Sequence, residues 1–151
     1  MNARDVFLSG EYNCAESVLA GVIGEIDACN SLAAGFGGGI GGSGDVCGAL
    51  TGAVMGMGAR AQLRSYDTRR GGDFKRMVGE LLALFEGEHG ARDCNRLIPV
   101  EDMFCEADER KTYFSSPERK MKCAEFVTTA ERLALSVLRR HGWLEEVEDI
   151  P

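Results

Sequence analysis

The chain has 151 residues, a formal net charge of −7 and a pI of about 4.9, which suits a single domain with a real core. An acidic balance of this size argues against non-specific nucleic-acid binding, which needs lysines and arginines to displace phosphate counterions. No segment reaches the roughly 20 apolar residues of a membrane span, and MNARDVFLSGEYN lacks the apolar stretch of a secretory signal, so a cytoplasmic chain is expected.

Strand signals are few, and nearly every long segment repeats at helical spacing. The expectation is an all-α, single-domain bundle over residues 1–151, of about five helices in up-down order, with residues 144–151 as a frayed tail. A short amphipathic piece, Ala3 to Leu8, precedes a first helix opened by Asn13, which with Glu16 forms a capping box. Its apolar stripe is Ala15, Val18, Leu19, Val22, Ile23 and Ile26. Asn30 is expected to cap a short second helix, Ser31 to Phe36, which Gly37, Gly38 and Gly39 stop.

The next stretch, Gly35 to Ala59, holds eleven glycines in twenty-five residues and one charge, Asp45. Gly37 to Gly44 reads as a loop, and Asp45 as the N-cap of a third helix ending near Leu63 or Ser65. Cys47, Leu50, Val54, Met57 and Ala61 make its core stripe. Gly48, Gly52 and Gly56 form a second row, and a neighbouring helix approaching closely would explain it. Arg60, Arg64, Arg69, Arg70, Lys75 and Arg76 form a local basic cluster, read as a solvated helix end.

Arg69 to Gly72 is expected to turn the chain into a fourth helix, about Asp73 to His89, with Phe74, Met77, Val78, Leu81, Leu82 and Phe85 inside and Gly90 at its end. Asp93 and Cys94 open a short turn limited by Pro99, and residues 98–115 read as irregular. Ser116 and Pro117 start the last long helix, whose stripe is Cys123, Val127, Ala130, Ala134 and Val137, closed by Gly142.

Six cysteines remain: Cys14, Cys29, Cys47, Cys94, Cys105 and Cys123. No CxxC, CxxCH or zinc-finger spacing occurs, and with only His89 and His141 present any metal would be held by thiolates. Antiparallel connectivity carries Cys14, Cys47, Cys94 and Cys123 to one end of the bundle. Cys14, Cys47 and Cys94 also sit at helix starts, where the dipole favours a thiolate. A P-loop is excluded, because no lysine with serine or threonine follows the glycines. No strand leads into GGGIGG, which excludes a dinucleotide fingerprint.

These residues resemble the redox-active family described by the pattern C…CGAxxG…C…C. Its central element stands here as Cys47-Gly48-Ala49-Leu50-Thr51-Gly52, with Cys14 before it and Cys94 and Cys123 after it. The resemblance covers about residues 12 to 130 and extends to the non-haem module of split-Soret cytochromes. It implies a redox role. By that analogy it also implies an iron–sulfur centre at Cys14, Cys47, Cys94 and Cys123; haem is not carried over, because the chain has no CxxCH, and no nucleotide is expected. Cys29 and Cys105 receive no role.

Three functions stay open on the sequence. One is electron transfer or redox sensing through a thiolate-bound iron–sulfur cluster, serving an unknown redox partner protein. Another is a metal-free dithiol and disulfide couple at the same cysteines. The last is a helical interaction module whose glycine face packs a partner or a second copy as a homodimer. No catalytic triad or substrate site is recognisable.

Overall fold

In the computed structural model, which describes residues 1–26, 28–63, 71–98 and 116–144, α1 (Ala3–Leu8) leads into α2 (Cys14–Ile23) through the expected capping box. The Asn13 side chain accepts from the Glu16 N–H at 2.9 Å, and the Glu16 carboxylate accepts from the Asn13 N–H at 3.1 Å. Backbone donors that a helix start leaves orphaned are satisfied reciprocally. Gly24 ends α2 in the left-handed conformation, with a φ of 85°, which leaves Ile26 beyond the helix and exposed. Arg60 completes that end: its Nε and Nη2 donate to the Val22 and Ile23 carbonyls at 3.0 and 3.1 Å. Arg60 is therefore a helix cap and not a solvated charge. Lys75 and Arg76 are exposed as expected, and Arg64, Arg69 and Arg70 lie outside the described residues.

The short second helix differs from its expected form. It is a 3-10 helix over Ala28–Phe36, so Asn30 lies inside it and does not cap it. The buried Asn30 side chain instead donates to the Glu16 carbonyl at 2.8 Å, tying the segment to α2. From Gly38 to Gly42 the backbone then runs left-handed, with φ between 61° and 73°. That path is open at low cost only to glycine; Ile40 is the non-glycine within it.

Asp45 does not cap the next helix, α3 (Gly48–Leu63). Residues 45–47 are held off helix because Val46 bridges to Asp93. The Cys47 N–H donates to the Arg92 carbonyl at 2.9 Å, and the Cys94 N–H to the Asp45 carbonyl at 2.7 Å. The Asp45 carboxylate accepts from the Ser43 hydroxyl at 3.0 Å. Apart from that bridge, the described residues contain no extended pairing.

The glycine row on α3 faces α2, and these two helices make the broadest pairing in the structure. A Cβ on Gly52 would strike the Ala15 carbonyl oxygen, and one on Gly56 would lie 2.6 Å from the Val22 Cβ. Three glycines cost the helix roughly 0.8–1 kcal/mol each relative to alanine; the close approach offsets that cost. The face is thus used within the chain.

The next helix, α4 (Gly71–His89), begins two residues earlier than expected and takes in Gly71 and Gly72, where the sequence predicts a turn. Arg69 and Arg70 lie outside the described residues. Met77, Leu81 and Phe85 are buried, and Gly90 ends the helix at a φ of 83°. Gly79 and Gly87 have nothing within 4 Å of an added Cβ. Gly79→Ala and Gly87→Ala should therefore each raise stability by about 0.5–1 kcal/mol, read as a higher urea midpoint at unchanged slope.

After the short α5 (Cys94–Leu97), α6 (Pro117–Arg140) opens as expected. The Ser116 hydroxyl accepts from the Arg119 N–H at 3.3 Å, and Pro117 takes the first helical position. Residues 99–115 and 145–151, which include Pro99, Cys105 and most of the expected tail, lie outside the described residues. Helix α6 packs against α1, α2, α3 and α4 and is the hub of the core. Its fully buried Val127, Ala130, Ala134 and Val137 meet Val18, Val22, Leu50, Met57, Leu81 and Phe85.

Candidate functional site

Four cysteines reach the site from four separate elements. Cys14 is the first residue of α2, Cys47 directly precedes α3, Cys94 is the first residue of α5, and Cys123 lies in the second turn of α6. All four line one cavity of about 20 Å³, walled by Ala49, Leu97, Ile98 and Phe126. Their sulfurs are close enough for each to act electrostatically on each of the others. All four are free thiols, with Cys47 and Cys94 buried and Cys14 and Cys123 half-buried. Cys105 and the side chain of Cys29 lie outside what is described.

The glycine stretch makes this convergence sterically permissible. A Cβ on Gly48 would collide with the Cys14 sulfur, and it would sit 3.0 Å from the Phe36 carbonyl. A Cβ on Gly39 would lie 2.5 Å from the Asp45 carbonyl oxygen and 2.8 Å from the Cys94 Cβ. Bare backbone at these two positions lets Cys14 approach α3 and lets Cys94 nest against the loop. The Val46–Asp93 bridge then fixes Cys47 and Cys94 side by side in register.

Backbone donors surround the sulfurs. Cys14 accepts from the N–H groups of Gly38 and Ala15, and Cys47 from that of Ala49. Arg119 adds a charged donor, with its Nη2 3.8 Å from the Cys94 sulfur. The sequence reading missed this residue. Its signal was present, for Arg119 stands four residues before Cys123 and seven before Phe126, on the face that points into the core.

The thiols do not show the acidity expected of helix starts. Burial pushes Cys14 from its ordinary 9.0 up to about 11, against the two backbone N–H groups that favour its anion. Burial raises Cys47 as well, reinforced by the neighbouring thiols. It raises Cys94 too, although the Arg119 guanidinium pulls the other way. Removing an anion from water outweighs the partial charge of a helix end here.

With Cys14 raised in the folded chain, the unfolded chain binds fewer protons between pH 9 and about 11. The stability that the protonated thiols allow is present below that window and is lost as pH rises through it. The melting temperature of the thiol form should fall across this range, and Cys14→Ser should flatten the fall; equal curves for both proteins would contradict it.

The two histidines take no part in the cavity. The ring of His89 packs edge-on to Phe126 and its Nε2 bonds the Thr129 hydroxyl at 2.9 Å, while His141 meets Glu80 at 3.0 Å. Among the described residues, no three Cys, His, Asp or Glu side chains converge closely enough to hold a single metal ion.

Residues 12–137 match the family model described as "Putative redox-active protein (C_GCAxxG_C_C)". The chain belongs to this family. In this member the central element reads Cys47-Gly48-Ala49, and the glycine after the cysteine is the one that admits the Cys14 sulfur. All four cavity cysteines fall within the matched residues. No curated protein and no solved structure matches the chain. Among the described residues, no helix is long and apolar enough to cross a membrane.

Proposed function

We propose that Cys14, Cys47, Cys94 and Cys123 together hold an iron–sulfur cluster, and that the chain transfers electrons to, or senses the redox state of, a partner protein. The observation that carries this reading is the meeting of four thiols from four elements in one cavity, under N–H donors. Thiolates in a shielded site with hydrogen bonds to sulfur are what such clusters require. Burial raises Cys14, Cys47 and Cys94, so holding their thiolates side by side without a cation is costly; iron would supply that positive charge.

Four thiolates are a donor set of the kind that iron–sulfur clusters take. A single tetrahedral metal needs its ligands to converge on one point, and no three of these side chains do so. The ligands of a multi-iron cluster are distributed over separate irons. When bound, the cluster supplies one-electron chemistry; the chain positions the sulfurs, excludes water through Ala49, Leu97, Ile98 and Phe126, and aims N–H groups at Cys14 and Cys47.

The meeting of free thiols also favours a second reading, a metal-free dithiol and disulfide couple at the same cysteines. Anaerobic reconstitution with iron and sulfide separates the two. The wild type should retain both elements. Single serine variants at Cys14, Cys47, Cys94 or Cys123 should lose most of them, and Cys29→Ser and Cys105→Ser should not. Equal loading of all six variants would refute ligation by these four. If nothing loads, thiol counts before and after mild oxidation decide whether a pair among the four closes.

A further inference from the structure

We propose that Arg119 is the positioning residue that sets the reduction potential of the four-cysteine site, through the guanidinium it places against the Cys94 sulfur. The inference rests on the cluster reading above. Arg119 is only 6 % exposed, so its charge is weakly screened by solvent. Its Nη2 is 3.8 Å from the Cys94 sulfur, and it is the charged side chain other than the thiols among the described residues that line the cavity. The Ser116 cap fixes its backbone at the first turn of α6. Lys120 and Lys122, on the same helix, do not line the cavity.

Reduction adds one electron, and so one negative charge, to the bound cluster. A fixed positive charge in a poorly solvated site favours the reduced state and raises the potential. The guanidinium hydrogen bond goes to Cys94, while Cys14 and Cys47 receive backbone donors. The charged donor thus lies on the Cys94 side of the site.

The test compares wild type with Arg119→Lys, which keeps the charge, and Arg119→Gln, which keeps a donor without charge. Lys120→Gln serves as the control for a screened charge. Each protein is reconstituted anaerobically with iron and sulfide, assayed for both, checked for helical content by circular dichroism, and titrated with redox dyes. Arg119→Gln should load normally and titrate lower. The shift should be at least about tenfold in the oxidation equilibrium, or about 59 mV for a one-electron couple. Arg119→Lys should recover most of it, and Lys120→Gln should match wild type. A loaded Arg119→Gln at the wild-type potential overturns the inference while leaving the cluster intact. Should Arg119→Gln fail to fold, Arg119→Lys alone still decides, because a drop as large as the full expected shift would mean that charge is not what matters. A wild type that takes up neither iron nor sulfide overturns the cluster reading itself, and this inference with it.

Discussion

Gly52→Leu should cost the protein about 3 kcal/mol or more, enough to leave a large unfolded fraction. Leucine is the better helix former by most of 1 kcal/mol, so propensity alone would raise stability. Packing reverses the sign. Even a Cβ at this position strikes the Ala15 carbonyl oxygen and sits 3.0 Å from the Ala15 carbonyl carbon and Cα. These are backbone atoms inside α2 and cannot turn aside as a side-chain tip can. Helices α2 and α3 would have to separate, carrying Cys14 away from Cys47. Urea unfolding should show the loss, and any residual folded protein should bind little iron. An unchanged midpoint would mean that the two helices do not meet as described. The same contact bears on the interaction-module reading, because a glycine row filled by α2 offers no groove to a second copy.

The second large effect is expected at Phe85→Ala, about 3–5 kcal/mol. Phe85 heads the fully buried side chains by size, and its ring lies 4.9 Å from that of His89 and 6.2 Å from that of Phe126. Phe126 walls the thiol cavity, so the void left by alanine would open behind that wall. Chemical denaturation reads the stability loss. Faster alkylation of Cys123 in the folded variant would report the slackened wall. A cost below about 1 kcal/mol would show that neighbouring side chains collapse into the space.

Elements whose signals are local were legible in the sequence. Asn13 and Glu16 satisfy each other across one turn, Ser116 and Pro117 pre-set another, and Gly90 and Gly142 take the left-handed φ that ends a helix. The convergence of Cys14, Cys47, Cys94 and Cys123 was legible too, since alternating helix directions dictate which ends meet. What the sequence misplaced depends on distant partners. Asp45 has the chemistry of an N-cap, but pairing of its neighbour Val46 with Asp93 holds it off the helix. Asn30 has the same chemistry, but its side chain is taken by the Glu16 carbonyl. Arg60 reads as a surface charge until the end of α2 arrives beside it.

The thiol acidities failed for a related reason. Position on a helix is visible in a sequence, whereas depth of burial is a property of the packed fold, and for Cys14 and Cys47 burial is the larger effect. Arg119 escaped notice because a charged residue on an apolar face is ordinarily read as an interruption of the stripe. In the folded chain it is the positive charge beside the Cys94 sulfur.

We propose that four cysteines from four elements form one iron–sulfur redox centre. Its most direct test is the visible spectrum of the wild-type protein purified without oxygen, together with its iron and acid-labile sulfide content. The expected result is a coloured protein that contains both elements in comparable amounts and bleaches on reduction. A colourless protein, free of iron and sulfide and unable to take them up on reconstitution, would contradict it.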